Sequence, residues 1–158
     1  MLSIYEMHDS TLDYFEELCV KDAMMEFKEK FPERPVHLYG ARSWSNGDFS
    51  SADWFLKVAK KVFPIGSKEI RLDVEDILKL LSRDPWQKND PHITVFFTAH
   101  ELVDRDYKLC DGMTQGLNTV QSVFRFKELN PDIREKSIKT MILQELERIC
   151  DAVGDDNY

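Results

Sequence analysis

The sequence predicts an α/β (α+β) fold in which a small mixed sheet packs against three or four helices. Apolar residues recur at helical spacing in several separate segments. One run, Ile93-Thr94-Val95-Phe96-Phe97-Thr98, is β-branched and aromatic throughout, as a buried strand requires. A third signal is Asn130-Pro131, which places a cap and a first-turn proline ahead of a long amphipathic stretch.

Taken in order, Leu12, Phe15, Leu18, Cys19, Met25 and Phe27 predict a helix over Thr11–Lys30. Asp9 or Ser10 would cap it, with Asp13, Glu16 and Glu17 favourably placed near its positive end. Pro32 and Pro35 stop it. Val36–Tyr39 is a short strand candidate, and the polar stretch Ala41–Ser51, with Gly47, reads as a loop. Trp54, Phe55, Val58, Ala59 and Val62 mark the buried stripe of a helix over Ala52–Phe63, ended by Pro64-Ile65-Gly66. Val74, Ile77, Leu78 and Leu81 predict a third helix, Leu72–Leu81, closed by Asp84-Pro85. Lys88-Asn89-Asp90-Pro91 reads as a surface turn.

The strand Ile93–Thr98 follows. A turn-rich segment with Gly112 and Gly116 separates it from a second strand candidate, Thr119–Phe126. Ile133, Ile138, Met141, Ile142, Leu146 and Ile149 then predict a final helix ending near Gly154. No repeat, linker or low-complexity tract interrupts the chain.

Composition bounds the function. With 158 residues, 42% of them hydrophobic, the chain suits one core and would strain to hold two, so residues 1–158 are expected to form a single domain. Lys and Arg number 21 against 29 Asp and Glu, a net charge of −8. A surface this acidic is unsuited to a nucleic-acid backbone or an anionic membrane. No apolar run reaches the length of a membrane span. Met1–Ser10 carries Glu6 and Asp9 and does not read as a signal peptide. Cys19, Cys110 and Cys150 are odd in number and unpaired by spacing, which points to reduced thiols and a cytoplasmic protein.

Several residues invite a chemical reading. His92-Ile93-Thr94-Val95 fits the His-x-Thr-x pattern that 2H phosphoesterases use twice, so a small hydrolase built on His92 is an alternative function. Val36-His37-Leu38-Tyr39 supplies no second copy, and a surface histidine at a strand start is the plainer reading. His100-Glu101 begins a His-Glu-x-x-His pattern, but Asp104 stands at its fifth place. Gly112 and Gly116 are too sparse for a phosphate-cradling loop, and no Ser or Cys sits in a nucleophile turn. In Phe124-Arg125-Phe126, strand alternation would turn Arg125 away from the core. It would then be an ordinary solvent-facing arginine or a substrate contact at an open sheet edge.

From Ile93 onward the chain resembles the archaemetzincin-like zinc peptidases. The resemblance runs through Ile93–Thr98 with Glu101-Leu102-Val103-Asp104, through Asp111-Gly112-Met113-Thr114-Gln115-Gly116, and through Val120-Gln121-Ser122-Val123-Phe124-Arg125-Phe126. It implies a zincin-like fold with the order helix, strand, helix, helix, strand, edge strand, helix. The edge strand near Val120–Phe126 would border a cleft, with Ser122 and Arg125 contacting substrate. The last helix would carry His-Glu-x-x-His-x-x-Gly-x-x-His, which aligns with Gln144 to Gly154. Gln144, Arg148 and Gly154 stand at the three histidine places, and of the catalytic set Glu145 alone remains, as a vestigial general base. An amide is a poor zinc ligand, a guanidinium cannot deprotonate to coordinate, and glycine has no side chain. No metal and no cofactor are therefore expected. The reading is a pseudopeptidase or binding module for a peptide or protein, with the oligomeric state left open. The same helix also reads as an ordinary solvated face, with Gln144, Glu147, Arg148 and Asp151 away from its apolar stripe.

Overall fold

A strand buried on both faces has no reason to alternate polar with apolar residues. β5 (Ile93–Thr98) is such a strand, with all six residues buried. The computed structural model describes residues 1–40, 60–62 and 70–154, and in it β5 is the middle of a five-stranded sheet. Parallel neighbours flank it: β1 (Ile4–His8) on one side and β9 (Asn118–Ser122) on the other. β2 (Val36–Gly40) adds in parallel outside β1, and β8 (Gly112–Gln115) adds antiparallel outside β9, giving the order β2-β1-β5-β9-β8. A second sheet, order β3-β4-β6-β7, is built from β3 (Lys60–Val62), β4 (Ile70–Asp73), β6 (Glu101–Val103) and β7 (Leu109–Cys110).

Alternation along β5 divides the interior in two. Ile93, Val95 and Phe97 face a core shared with α1 (Tyr14–Lys30) and α4 (Pro131–Val153), which supply Cys19, Val20, Phe27, Ile142 and Leu146. Phe96 faces a second core, beneath α2 (Val74–Arg83), with Met7, Leu72, Leu102 and Val120. A short helix, α3 (Pro85–Asn89), follows α2 directly. Among the described residues no helix is long and apolar enough to cross a membrane.

The helix ends follow local chemistry. Asp13 caps α1 in a capping box, accepting from Glu16 N at 2.7 Å while Glu16 Oε1 accepts from Asp13 N at 2.9 Å. The cap expected at Asp9 or Ser10 therefore moves to Asp13. Asp9 is instead buried, taking hydrogen bonds from Thr11 and from the Thr98 hydroxyl. Leu18 and Met25, expected in the stripe of α1, are exposed, and Val20, Ala23 and Met24 take their places. Asp73 caps α2 and Asp84 both closes it and caps α3. Asn130 Oδ1 accepts from Ile133 N at 3.1 Å to start α4.

The chain opens on β1, not on a helix. Leu72 belongs to β4, so the helix predicted over Leu72–Leu81 starts at Val74. Lys88 and Asn89 lie in α3 rather than in a turn. The helix predicted over Ala52–Phe63 falls outside the described residues apart from Lys60–Val62, which form β3. The loop Ala41–Ser51 and the stop Pro64-Ile65-Gly66 also lie outside them. The strand predicted over Thr119–Phe126 ends at Ser122, and Phe124–Phe126 is a 3-10 helix. Val123 N bonds Thr98 O, and Ser122 Oγ takes Phe124 N at 3.1 Å, which bends the chain off the sheet. β9 is an inner strand, and among the described residues β8 is the edge on that side.

Candidate functional site

β8 and β9 are joined through Gly116 and Leu117, with Gly116 at φ 59° in the left-handed region that a tight turn favours. Ser122 N bonds Asp111 O, so residues 111 and 122 form a hydrogen-bonded pair. Alternation down the antiparallel ladder makes Met113–Val120 and Gln115–Asn118 the next such pairs. The N–H and C=O of Gly112 and Thr114 consequently point outward, along an edge with no strand partner among the described residues.

The side chains on the α4 face of this pair form one polar network. Gln121 Nε2 donates to Thr119 Oγ1 at 2.9 Å and to Glu145 Oε2 at 3.3 Å. Thr114 Oγ1 bonds Thr119 Oγ1 at 2.8 Å. Arg148 donates to Glu145 Oε2 through Nε at 3.0 Å and Nη2 at 2.6 Å, and Nη2 also reaches the Thr114 hydroxyl. Glu145 is 24% exposed and Arg148 51%, so this ion pair lies at the rim of the edge strand.

Ser122 is 3% exposed, and its hydroxyl donates to His100 O at 2.6 Å, tying β9 to the short connection between β5 and β6. Arg125 is in the 3-10 helix, not on a strand; it pairs with Asp111 at 2.7 Å and lies over the Phe126 ring, beside the start of β8. Gln144 is exposed on α4, one turn before Arg148. α4 stays helical through Val153, so position 154 lies about 9 Å further along the axis than position 148. One ion bound by side chains at 144 and 148 would be out of reach of position 154 unless the chain turned at Asp151, which is exposed and inside the helix. The residues at these places do not fit zinc. Among the described residues no group of three or more His, Cys, Asp or Glu could hold a metal ion.

His100 immediately precedes β6, and Glu101, its first residue, pairs with Arg71 at 2.7 Å. His92, expected at the surface, is 2% exposed. Its Nδ1 bonds Asp90 O at 2.7 Å, and its ring packs 4.2 Å from Trp86 and 4.5 Å from Tyr5. Tyr5 also stacks on His37 at 4.6 Å. Burial lowers the His92 pKa. Cys19, Cys110 and Cys150 form no disulfide with one another, and burial pushes the first two up to about 11, away from thiolate chemistry at neutral pH.

A further ionisable group had no signal in the sequence beyond its type. His8 Nδ1 lies 2.5 Å from Glu6 Oε1, and Nε2 lies 3.7 Å from Glu17 Oε1. They border a cleft of about 400 Å³ between α1 and β2, rimmed by Tyr14, Leu18 and Leu38. Burial by itself would lower the His8 pKa. The Glu6 hydrogen bond and the charges of Glu6, Glu17 and Asp9 outweigh burial and raise it above 6.5. A histidine with a raised folded-state pKa adds stability that is complete below about pH 6.5 and is lost as pH rises through the folded value. Melting curves of wild type and His8→Gln, taken from about pH 5.5 to about pH 8.5, are expected to converge as pH rises. A gap independent of pH would mean that His8 contributes by packing alone.

No family model matches the chain, and no curated protein matches its sequence. Among solved structures it is similar to the crystal structure of archaemetzincin from Methanopyrus kandleri, with a TM-score of 0.57 over 89% of this chain and 68% of that one, at 11% identity. At that identity the likeness shows the fold: a zincin-like, mixed α/β arrangement with an antiparallel edge strand.

Proposed function

We propose that the chain is a single-domain cytoplasmic pseudopeptidase, a peptide- or protein-binding module on a zincin-like scaffold without metal-dependent hydrolysis. The observation that carries this reading is the outward edge of β8 lying directly beside the Glu145–Arg148 face of α4. An extended peptide laid along that edge meets two N–H and two C=O groups, those of Gly112 and Thr114, and joins the sheet as a further strand. Each such bond contributes about 0.5–1.5 kcal/mol net, so contacts from flanking side chains must supply selectivity. Three cysteines that form no disulfide with one another fit a reducing compartment. The phosphoesterase alternative draws less support, because the His92 ring is buried among aromatic rings with Nδ1 committed to a backbone carbonyl.

Two measurements test the reading. Peptides selected from a displayed random library should bind in solution, and N-methylation of alternate amides should abolish binding; selection of none would end the groove reading. Metal is the second test. Untagged protein dialysed against buffer is expected to carry no stoichiometric zinc, and one tightly held zinc per chain would overturn the pseudopeptidase. The variant Gln144→His/Arg148→His should gain weak zinc binding from two imidazoles one turn apart. Because α4 is unbroken to Val153, adding Gly154→His is expected to gain less than tenfold, about 1.4 kcal/mol. A larger gain would show that the helix end can refold towards residues 144 and 148.

A further inference from the structure

We infer that the β8 groove selects an extended peptide carrying a carboxylate side chain at the position opposite Thr114, and that Arg148 is the residue that reads it. The inference rests on the groove reading above and names its ligand class.

Residues directly opposite in a sheet point their side chains to the same face, with Cβ atoms about 4.5–5.5 Å apart. Thr114 presents its backbone outward and its side chain to α4, where the hydroxyl meets Arg148. A peptide residue opposite Thr114 must therefore project towards α4, whichever way the peptide runs. What it meets there is a guanidinium that is half exposed. Nε and Nη2 are committed to Glu145 and Thr114, and Nη1 has no partner among the described residues. Glu145 and Thr114 hold the guanidinium in place, so little side-chain freedom is lost when Nη1 takes a ligand. A carboxylate is the strongest complement for such a donor. The neighbouring peptide position points to the other face, next to the half-buried Met113 and the core beneath α2, and suits an apolar residue. The net charge of −8 does not cancel this preference, because charges beyond about 8 Å are largely screened at physiological salt.

The test uses three acetylated, amidated peptides, Ser-Thr-Val-Glu-Val-Thr-Ser and its versions with Gln or Lys at the central position, titrated into the full chain. The Glu peptide is expected to bind tighter than the Gln peptide by on the order of fivefold, the scale of an exposed ion pair, and tighter still than the Lys peptide. Arg148→Gln should erase the preference and Arg148→Glu should invert it towards Lys, both with melting temperatures near wild type. Glu145→Gln, which frees Arg148 from its neutralising partner, should widen it. Equal affinities for the three peptides, or a preference that survives Arg148→Gln, overturns the inference and leaves the groove standing. Failure of all three to bind overturns both.

Discussion

Phe96→Ala and Phe97→Ala are each expected to cost about 3–5 kcal/mol, the usual range for removing a buried phenyl ring. Both residues are fully buried, yet as neighbours on β5 they enter different cores. Phe97 packs with the α1 and α4 residues, Phe96 with those of α2. At about 2–4 °C per kcal/mol for a chain of this size, each variant should melt about 6–20 °C below wild type. The double variant should fail to give a cooperative transition, because both cores are then weakened and the two losses together approach the roughly 5–15 kcal/mol stability of a whole domain. A loss of under about 1 kcal/mol for either single variant would mean that its side of β5 is not packed as described, since so small a cost is typical of surface positions.

Gly112→Ala is expected to have the next largest effect. A Cβ at residue 112 would lie 2.2 Å from Gln121 Oε1 and 2.6 Å from the Val120 carbonyl oxygen. The Gln121 side chain can swing aside, but the carbonyl belongs to the backbone of β9. Gly112 and Gln121 form a non-hydrogen-bonded pair, the closer of the two antiparallel spacings, so relief requires β8 to separate from β9. Overpacking of this kind costs about 1–3 kcal/mol. Moving Gln121 also removes its bonds to Thr119 and Glu145, so peptide binding should weaken along with stability. Gly116→Ala is the comparison: nothing lies within 4 Å of its added Cβ, and the cost should be the roughly 1–2 kcal/mol of a left-handed backbone, with the β8 edge intact. Thermal melts of the two variants decide the matter, and binding lost equally in both would mean that the turn, not the edge, makes the contact.

The sequence alone determined the parts of this fold whose causes are local. A six-residue run that is buried on both faces announces itself by composition, and β5 matches its expected bounds. Asn130-Pro131 and Asp84-Pro85 mark helix boundaries because capping and the proline ring act within one turn. Glu145 and Arg148 stand out through the resemblance, which aligns the last helix with a zinc motif, and the non-fit of Gln144 and Arg148 to zinc follows from side-chain chemistry.

Only the tertiary structure decided which residues work together. The sequence of β1 does not read as a strand, because Glu6 and His8 break its apolar pattern. They are tolerated inside because Glu6 reaches the Gly40 backbone, 34 residues away, and because His8 reaches Glu6 and Glu17. The short strands β4, β6, β7 and β8 have two to four residues each, too few for periodicity to register. The edge moved from β9 to β8 because edge position is a property of neighbours, and a strand's own residues do not encode how many partners it will have. Arg125 missed the strand because the Ser122 hydroxyl and the Val123 amide turn the chain away from the sheet. The partners of Arg148 at the groove rim include Thr114, 34 residues away, and such pairings arise from packing that no local pattern records.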